Sequence, residues 1–482
     1  MKKLLSIFLA IFIAMTCCGC NILFPNNNDN DDEGKKPPVE PPEKVTLPNY
    51  DELESEELII NGWYTPAISK ESFQTYKDCG FNYIFIQGEV NGYNTMSNAT
   101  IQALELCEEL GLKAIVTIDR PENAVIYAET FVQYDCFVGF NYDEPVVRTN
   151  TINNRLGFYE LQPYVEALEA AYPQVEFMVN LNPSTSMVYN WGGANVPMTY
   201  AEHLDYFEEY LGGIYANKQA TNWLSCDDYV LKNDTSLKTP NYLKKTWLFN
   251  IEILAERKRD TEYGFTTNFF IQSQAYNPGN LRIPTYNDLR MQIYSLMAFG
   301  YDSISYYCYG TPPYDTTLPV SCDALVDRAG NKTQIWYDSQ KINAEVRKFE
   351  KVYGQFKDNW LGTAQILGTN NTSKDEMYQN GSFSLNHPVS VDNLSGVDTI
   401  TSTEDIIVGY LKDNSGNSGF MVVNYNDTTY NKKSQVEMKF DVADKALVFI
   451  DGEKQDLTLT DNTLNLDLDL GEGVFVIPYN EK

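Results

Sequence analysis

Beyond residue 50, short apolar runs alternate with longer stretches whose apolar positions recur every three to four residues. The runs are rich in β-branched and aromatic side chains and read as buried strands, and the stretches between them as amphipathic helices. The strands are expected at Leu58–Trp63, Phe81–Gln87, Leu112–Ile118, Cys136–Asn141, Val175–Leu181, Thr221–Ser225, Thr266–Ile271 and Asp302–Cys308. The pattern predicts helices over Lys70–Cys79, Asn98–Leu110, Glu122–Tyr134, Tyr159–Ala171, Tyr200–Tyr210, Leu243–Arg259, Tyr286–Phe299 and Ser339–Phe356. Gly80 and Gly111 stand where the first two helices should stop. Eight such units predict an α/β fold of the (β/α)8 TIM-barrel type. A doubly wound open sheet is the alternative, but no glycine-rich phosphate loop follows the first strand.

After about residue 360 the pattern changes to short strands separated by turns such as Asn414-Ser-Gly-Asn-Ser-Gly and Asp451-Gly. They are expected at Ile406–Leu411, Gly419–Tyr425, Ser434–Phe440, Ala446–Ile450, Leu457–Leu459, Leu464–Leu468 and Val474–Ile477. Apolar and acidic residues alternate from Leu464 to Leu470, as in a half-buried antiparallel strand. The barrel is therefore assigned to 49–360 and a small all-β antiparallel sandwich domain to 361–482. This second domain is expected to pack against the barrel, with carbohydrate binding as the other role.

The first residues form a different kind of segment. Lys2 and Lys3 precede an apolar run from Leu4 to Met15, too short to span a bilayer comfortably. Thr16-Cys17-Cys18-Gly19-Cys20 follows and resembles a bacterial lipoprotein signal, in which the cysteine after a small residue is lipidated. That resemblance makes 1–20 the signal and Cys20 the lipid-bearing residue, with Cys18 as the alternative because Cys17 replaces the usual leucine. Residues 21–48 are rich in Asn and Asp, then in Lys, Pro and Glu, and read as a disordered tether. The expectation is an extracytoplasmic domain held at the bacterial cell surface by a membrane lipid anchor.

Composition narrows the function. A net charge of −30 excludes a nucleic-acid partner, since phosphate binding needs a basic face. The cysteines beyond the signal (Cys79, Cys107, Cys136, Cys226, Cys308, Cys322) are scattered without a Cys-x-x-Cys, so no metal site, and no cofactor, is expected. With only His203 and His387, a serine–histidine triad is not expected either. Aromatics reach 13%, including 34 tyrosines, and such rings are surfaces on which sugars stack.

The carboxyl ends of barrel strands display catalytic groups. Reading those ends in order gives Trp63 and Tyr64, Gln87 and Glu89, Asp119 and Arg120, Asp143 and Glu144, and Asn180 and Asn182. The last three strands supply Asp227, Asp228 and Tyr229, then Gln272, Gln274 and Tyr276, then Tyr306, Tyr307 and Tyr309. Acids, amides and aromatics converging on one face suit a hydroxyl-rich carbohydrate substrate. The stretch Gly139-Phe-Asn-Tyr-Asp-Glu-Pro145 ends an apolar strand in two adjacent carboxylates, the groups glycosidic-bond cleavage requires.

With Leu224-Ser-Cys-Asp-Asp-Tyr229, Ile271-Gln-Ser-Gln274 and Ala298-Phe-Gly300, that stretch resembles the barrels of clan-A-type glycoside hydrolases, particularly poorly characterised bacterial members. The resemblance implies a glycoside hydrolase in which Glu144 is the acid/base. The family's nucleophile would stand on strand seven, where this chain has Gln272 and Gln274. One repair pairs Glu144 with Asp227 or Asp228 on strand six. Another follows the similarity of Asp143-Glu144 to the pair in family 20 and family 123 hexosaminidases. There the Asp orients the substrate's own acetamide and the Glu is the acid. A catalytically inactive, lipid-anchored carbohydrate-binding protein is the reading from a different class.

Overall fold

Eight parallel strands form where the apolar runs predict them: β1 (Ile59–Gly62), β2 (Tyr83–Ile86), β3 (Lys113–Thr117), β4 (Phe137–Asp143), β5 (Glu176–Leu181), β6 (Asn222–Asp227), β7 (Phe265–Gln272) and β8 (Ser303–Tyr307). The structure, a computed structural model, describes residues 45–481 except 90–91, 144–156, 184–186, 189–195, 198–221, 233–246, 261–263, 276–280, 313–322, 371–384 and 386. The helices are α1 (Lys70–Asp78), α2 (Asn98–Leu110), α3 (Ala124–Phe131), α4 (Phe158–Ala171), α5 (Leu248–Asp260), α6 (Tyr286–Met297) and α7 (Gln334–Gly354). The helix expected over Tyr200–Tyr210 lies outside the described residues.

The strand order is β1-β8-β7-β6-β5-β4-β3-β2, so consecutive strands are neighbours around the sheet. Its two ends meet through Asn82: the backbone N–H donates to the Ile60 carbonyl (3.1 Å), and the side-chain Oδ1 accepts from Ile60 N–H (2.8 Å). The sheet thereby closes into a barrel.

Local chemistry matches the element ends. Ser97 Oγ accepts from Thr100 N–H (3.1 Å) at the start of α2, and Gly111 closes that helix at φ 66°. Thr285 and Asp288 form a capping box at the start of α6. Inside the barrel Phe85, Ile115, Met178, Trp223 and Phe270 pack with Trp63. The alternate residues, such as Ile84, Val116, Phe140, Leu224 and Ile271, pack outward in the larger core that contains the helices. Burial on both faces is why these strands read as largely apolar runs. A Cβ on Gly139 would lie 2.1 Å from the Glu176 carbonyl oxygen, so glycine is what lets β4 approach β5 there.

Beneath the barrel, Asp302 precedes β8 and is almost fully buried. Its Oδ1 accepts from Lys258 Nζ (2.7 Å) and Lys357 Nζ (2.6 Å), and its Oδ2 from Thr267 N–H and Oγ1 (both 2.9 Å). Every carboxylate lone pair that burial would leave stranded is therefore met.

The C-terminal region is a sandwich. One sheet orders β9 (Trp360–Ile366), β11 (Ile406–Lys412), β12 (Ser418–Val423), β17 (Gly473–Tyr479), β14 (Lys445–Ile450) and β15 (Glu453–Thr458); the other orders β10 (Val397–Ser402), β13 (Ser434–Phe440) and β16 (Thr463–Leu468). Val408, Phe420, Val448 and Val476 of the larger sheet face Ile400, Met438 and Leu466 of the smaller. Ile407, Met421, Phe449 and Phe475, on the opposite face, belong to the same core as the barrel helices. Gly409 permits this approach, because a Cβ there would lie 2.0 Å from the Ala298 carbonyl oxygen. The sequence pattern passes over β9 and β10, and it limits β15 to its last residues. Strand β15 is an exposed edge reading Glu-Lys-Gln-Asp-Leu-Thr, so no buried face imposes an alternation on it.

Candidate active site

Because strand neighbours point to opposite faces, the inward set on β4, β5 and β6 is fixed by the interior residues Met178 and Trp223. Asn180 lies two residues beyond Met178, Ser225 two beyond Trp223 and Asp227 two further. Register then places Asp143 beside Asn180 and Asn180 beside Ser225. Asn180 Nδ2 donates to Asp143 Oδ1 at 3.2 Å and to Asp227 Oδ1 at 3.4 Å, while its Oδ1 accepts from Ser225 Oγ at 2.9 Å. One buried amide thus holds two carboxylates at the carboxyl end of the barrel. The two carboxylate oxygens that share this nitrogen lie at most about 6.6 Å apart.

Tyrosines flank the pair. Tyr229 stacks on Tyr307 with ring centroids 4.8 Å apart, and Tyr64 lies 6.4 Å from Tyr307. Burial first, then the Asp227 charge, holds the Tyr229 hydroxyl well above its ordinary pKa. It therefore remains a neutral donor facing the carboxylate. Tyr64 adopts φ 66°, a left-handed conformation that costs a non-glycine residue about 1–3 kcal/mol and is concentrated at functional sites. The peptide between Tyr307 and Cys308 is cis.

The other expected site residues separate into three groups. At the carboxyl ends of β2 and β3, Gln87 and Asp119 are held by local partners. Gln87 N–H donates to Thr65 Oγ1 (2.9 Å) and its Oε1 accepts from Thr65 N–H (3.3 Å). Asp119 accepts from the Thr95 and Tyr127 hydroxyls. Trp63 is buried inside the barrel, its ring edge-on to Phe85 (5.2 Å) and Phe270 (5.6 Å). It is a floor beneath the mouth.

A second group faces elsewhere. Asp228 follows Asp227 and points the opposite way: it is buried and its Oδ2 accepts from Asn250 Nδ2 of α5 at 2.9 Å. Tyr309 packs outside the barrel, 4.6 Å from the Tyr76 ring and 5.6 Å from Phe81. Gln272 is used by backbone, its Oε1 accepting from Leu231 N–H (2.9 Å) and its Nε2 donating to the Arg282 carbonyl (2.8 Å). It ties the loops after β6 and β7 together. Gln274 is buried, and its amide atoms have no hydrogen-bond partner among the described residues.

The third group is only partly described or not at all. Glu144, Tyr276, His203 and Cys322 lie outside the described residues, as do Cys20 and the rest of 1–44. Glu89 lies on a two-residue strand after β2, and Asn182 is half-buried just past β5. His387 is on the surface, its Nδ1 2.7 Å from Glu256 Oε1. Among the described residues no group of three or more His, Cys, Asp or Glu side chains is arranged to hold a metal ion.

The residues missed at sequence level are Ser225, Asn268, Asn61 and Ser303, small polar groups inside strands. Their signal was available: each falls on the inward register of its strand, where a sealed apolar interior has no use for an isolated hydroxyl or amide.

No protein-family model and no curated protein matches the sequence. Several solved structures match it distantly. An α-amylase from Anoxybacillus matches at 8% identity and TM-score 0.47, over 88% of this chain and 98% of its own. A family 27 β-L-arabinopyranosidase from Geobacillus stearothermophilus matches at 12% identity and TM-score 0.44, over 89% and 97%. An arabinofuranosidase matches at 10% and 0.43, over 89% and 98%. At these identities and TM-scores the matches bear neither on the fold nor on which residues react.

Proposed function

We propose that the chain is a glycoside hydrolase that cleaves an oligo- or polysaccharide by double displacement, with Asp143 and Asp227 flanking the scissile bond. The observation that carries this reading is the single Asn180 amide donating to both carboxylates. Carboxyl groups about 5–5.5 Å apart suit a nucleophile and an acid/base, whereas inversion needs about 6.5–9.5 Å to admit a water. Tyr229, Tyr307 and Tyr64 supply a wall for the sugar ring beside the pair. Screening residues 45–482 against a glycan panel tests the reading, and NMR of the first-formed anomer reads the stereochemistry. Product with the substrate's own anomeric configuration is expected; initial inversion would overturn the double displacement.

The inward aim of Asp143 also favours a second reading, the substrate-assisted mechanism with Glu144 as acid. Activity confined to N-acetylated sugars and retained in Asp227→Asn would select it.

Replacing Tyr307 by Ala is expected to raise KM about fivefold, equivalent to about 1 kcal/mol of ring contact, with less effect on kcat. Steady-state kinetics, with a urea midpoint as folding control, checks this. The proposal extends to a cell-surface location through Cys20. Cys20→Ser is expected to move the protein from the membrane fraction to the soluble fraction or to stall its processing. Absence of fatty-acid label on the wild type would remove the anchor.

A further inference from the structure

The carboxylate pair is the end of a hydrogen-bonded chain that crosses the barrel interior. Asn61 Nδ2 on β1 donates to Ser303 Oγ on β8 (3.4 Å), and Ser303 Oγ to Asn268 Oδ1 on β7 (2.6 Å). Asn268 Nδ2 donates to Ser225 Oγ on β6 (2.8 Å), and Ser225 Oγ to Asn180 Oδ1 on β5 (2.9 Å). Asn180 Nδ2 then donates to Asp143 and Asp227. Asn61, Ser225, Asn268 and Ser303 are fully buried and Asn180 nearly so. Ser305 Oγ lies 2.5 Å from Asn61 Oδ1 and 2.8 Å from Asn268 Oδ1, and its single proton serves one of the two.

The chain runs in one direction for a chemical reason. Ionised carboxylates only accept, so Asn180 must turn its NH2 toward them and its oxygen toward Ser225. The Ser225 hydroxyl has one proton and gives it to that oxygen, so it must itself receive from an amide NH2, which sets Asn268. Each link polarises the next and strengthens the donors at the far end.

We propose that Ser225 is a positioning residue of the active site, acting through Asn180: by accepting from Asn268 and donating to Asn180 it fixes the amide orientation that clamps Asp143 and Asp227. This rests on the reading of those two carboxylates as the reacting pair. Without the Ser225 hydroxyl, the Asn180 oxygen loses the donor that holds and polarises it, so the amide is less firmly placed and its NH2 becomes a weaker donor to the two carboxylates. Among the described residues, the other titratable groups around the pair include Tyr229, whose pKa the Asp227 charge raises, Tyr307 stacked on Tyr229, Tyr64 beside Tyr307, Tyr142 next to Asp143, Cys226 and Asp228 next to Asp227, and Cys308. All of these remain in place when Ser225 is changed.

The experiment compares wild type, Ser225→Ala and Ser225→Thr, which restores the hydroxyl. Carboxyl pKa values of Asp143 and Asp227 are followed by 13C NMR, and kcat and KM on the best glycan of the panel. Loss of donors to an ionised group raises its pKa, so Ser225→Ala is expected to raise both values by about half a unit or more. It should also lower kcat about tenfold while leaving KM unchanged. Ser225→Thr should return both toward wild type. Should the Ala variant not fold, Ser225→Cys, whose thiol is a weaker donor, is expected to give an intermediate shift. Unchanged carboxyl pKa values and kcat in a folded Ala or Cys variant would overturn the proposal. A pKa shift in a protein that cleaves no glycan would uphold the clamp and overturn the glycosidase reading, which separates the two.

Discussion

Asp227→Asn and Asp143→Asn are each expected to lower kcat by about 10² to 10⁴ on an unactivated glycoside, with the urea midpoint little changed. Each substitution removes a charge while keeping the shape that Asn180 Nδ2 contacts. An external nucleophile such as azide distinguishes the two roles. The variant lacking the acid/base regains turnover through a glycosyl azide of retained configuration, and the variant lacking the nucleophile through one of inverted configuration. Asp228→Asn is the matched control: its carboxylate is bonded to Asn250 on the helix side, so it should affect stability more than kcat. A third or more of wild-type activity in Asp227→Asn would remove Asp227 from the reaction. Glu144→Gln belongs in the same series, since Glu144 is the strand-four acid expected from the sequence.

The second large effect is on stability. Asp302→Asn is expected to destabilise the fold by about 3 kcal/mol, because it removes the buried carboxylate between Lys258 and Lys357 and leaves the two ammonium groups to share the exposed Asp358 carboxylate. Burial alone would raise the Asp302 pKa, but the two ammonium groups override it and hold it well below the usual carboxylate range. A depressed carboxyl pKa contributes stability that is fully present above the unfolded value, about 3.9, and is lost as pH falls toward the folded value. Lys357 has the opposite sign: burial would lower its pKa, yet Asp302 and Asp358 raise it above the lysine range. Its contribution is full below the unfolded value, about 10.4, and fades as pH rises beyond it. Urea unfolding of wild type and variant should therefore differ by a constant amount from about pH 5 to 9 and converge below about pH 4. A difference that persists unchanged to pH 3 would show that the cluster acts through packing alone.

Much of the fold was legible in the chain because the period of burial is written in residue type. Both faces of β2 and of the centre of β3 are covered, so Tyr83–Ile86 and 114–116 read as unbroken apolar runs. The ends of α2 were readable to the residue, since Ser97 and Gly111 act within one turn of the backbone they cap. Strand β15 was legible only over its last residues because an exposed edge imposes no pattern. The candidate site was legible only as a set of strand ends. Residue order could name Asp227 and Asp228 together, and both Gln272 and Asn180, as groups at the mouth. The choice between them depends on which side of a strand faces the axis and on what stands opposite. Tertiary structure turned Asp227 inward beside Asn180 and Asp228 outward to Asn250, and placed Gln272 between two loops rather than before a substrate. Sequence determined the alternation of strand and helix because burial and capping are local and periodic. The assembly of Asn61, Ser303, Asn268, Ser225 and Asn180 into one directed chain required five strands far apart in sequence to be brought into register, which only closure of the barrel achieves.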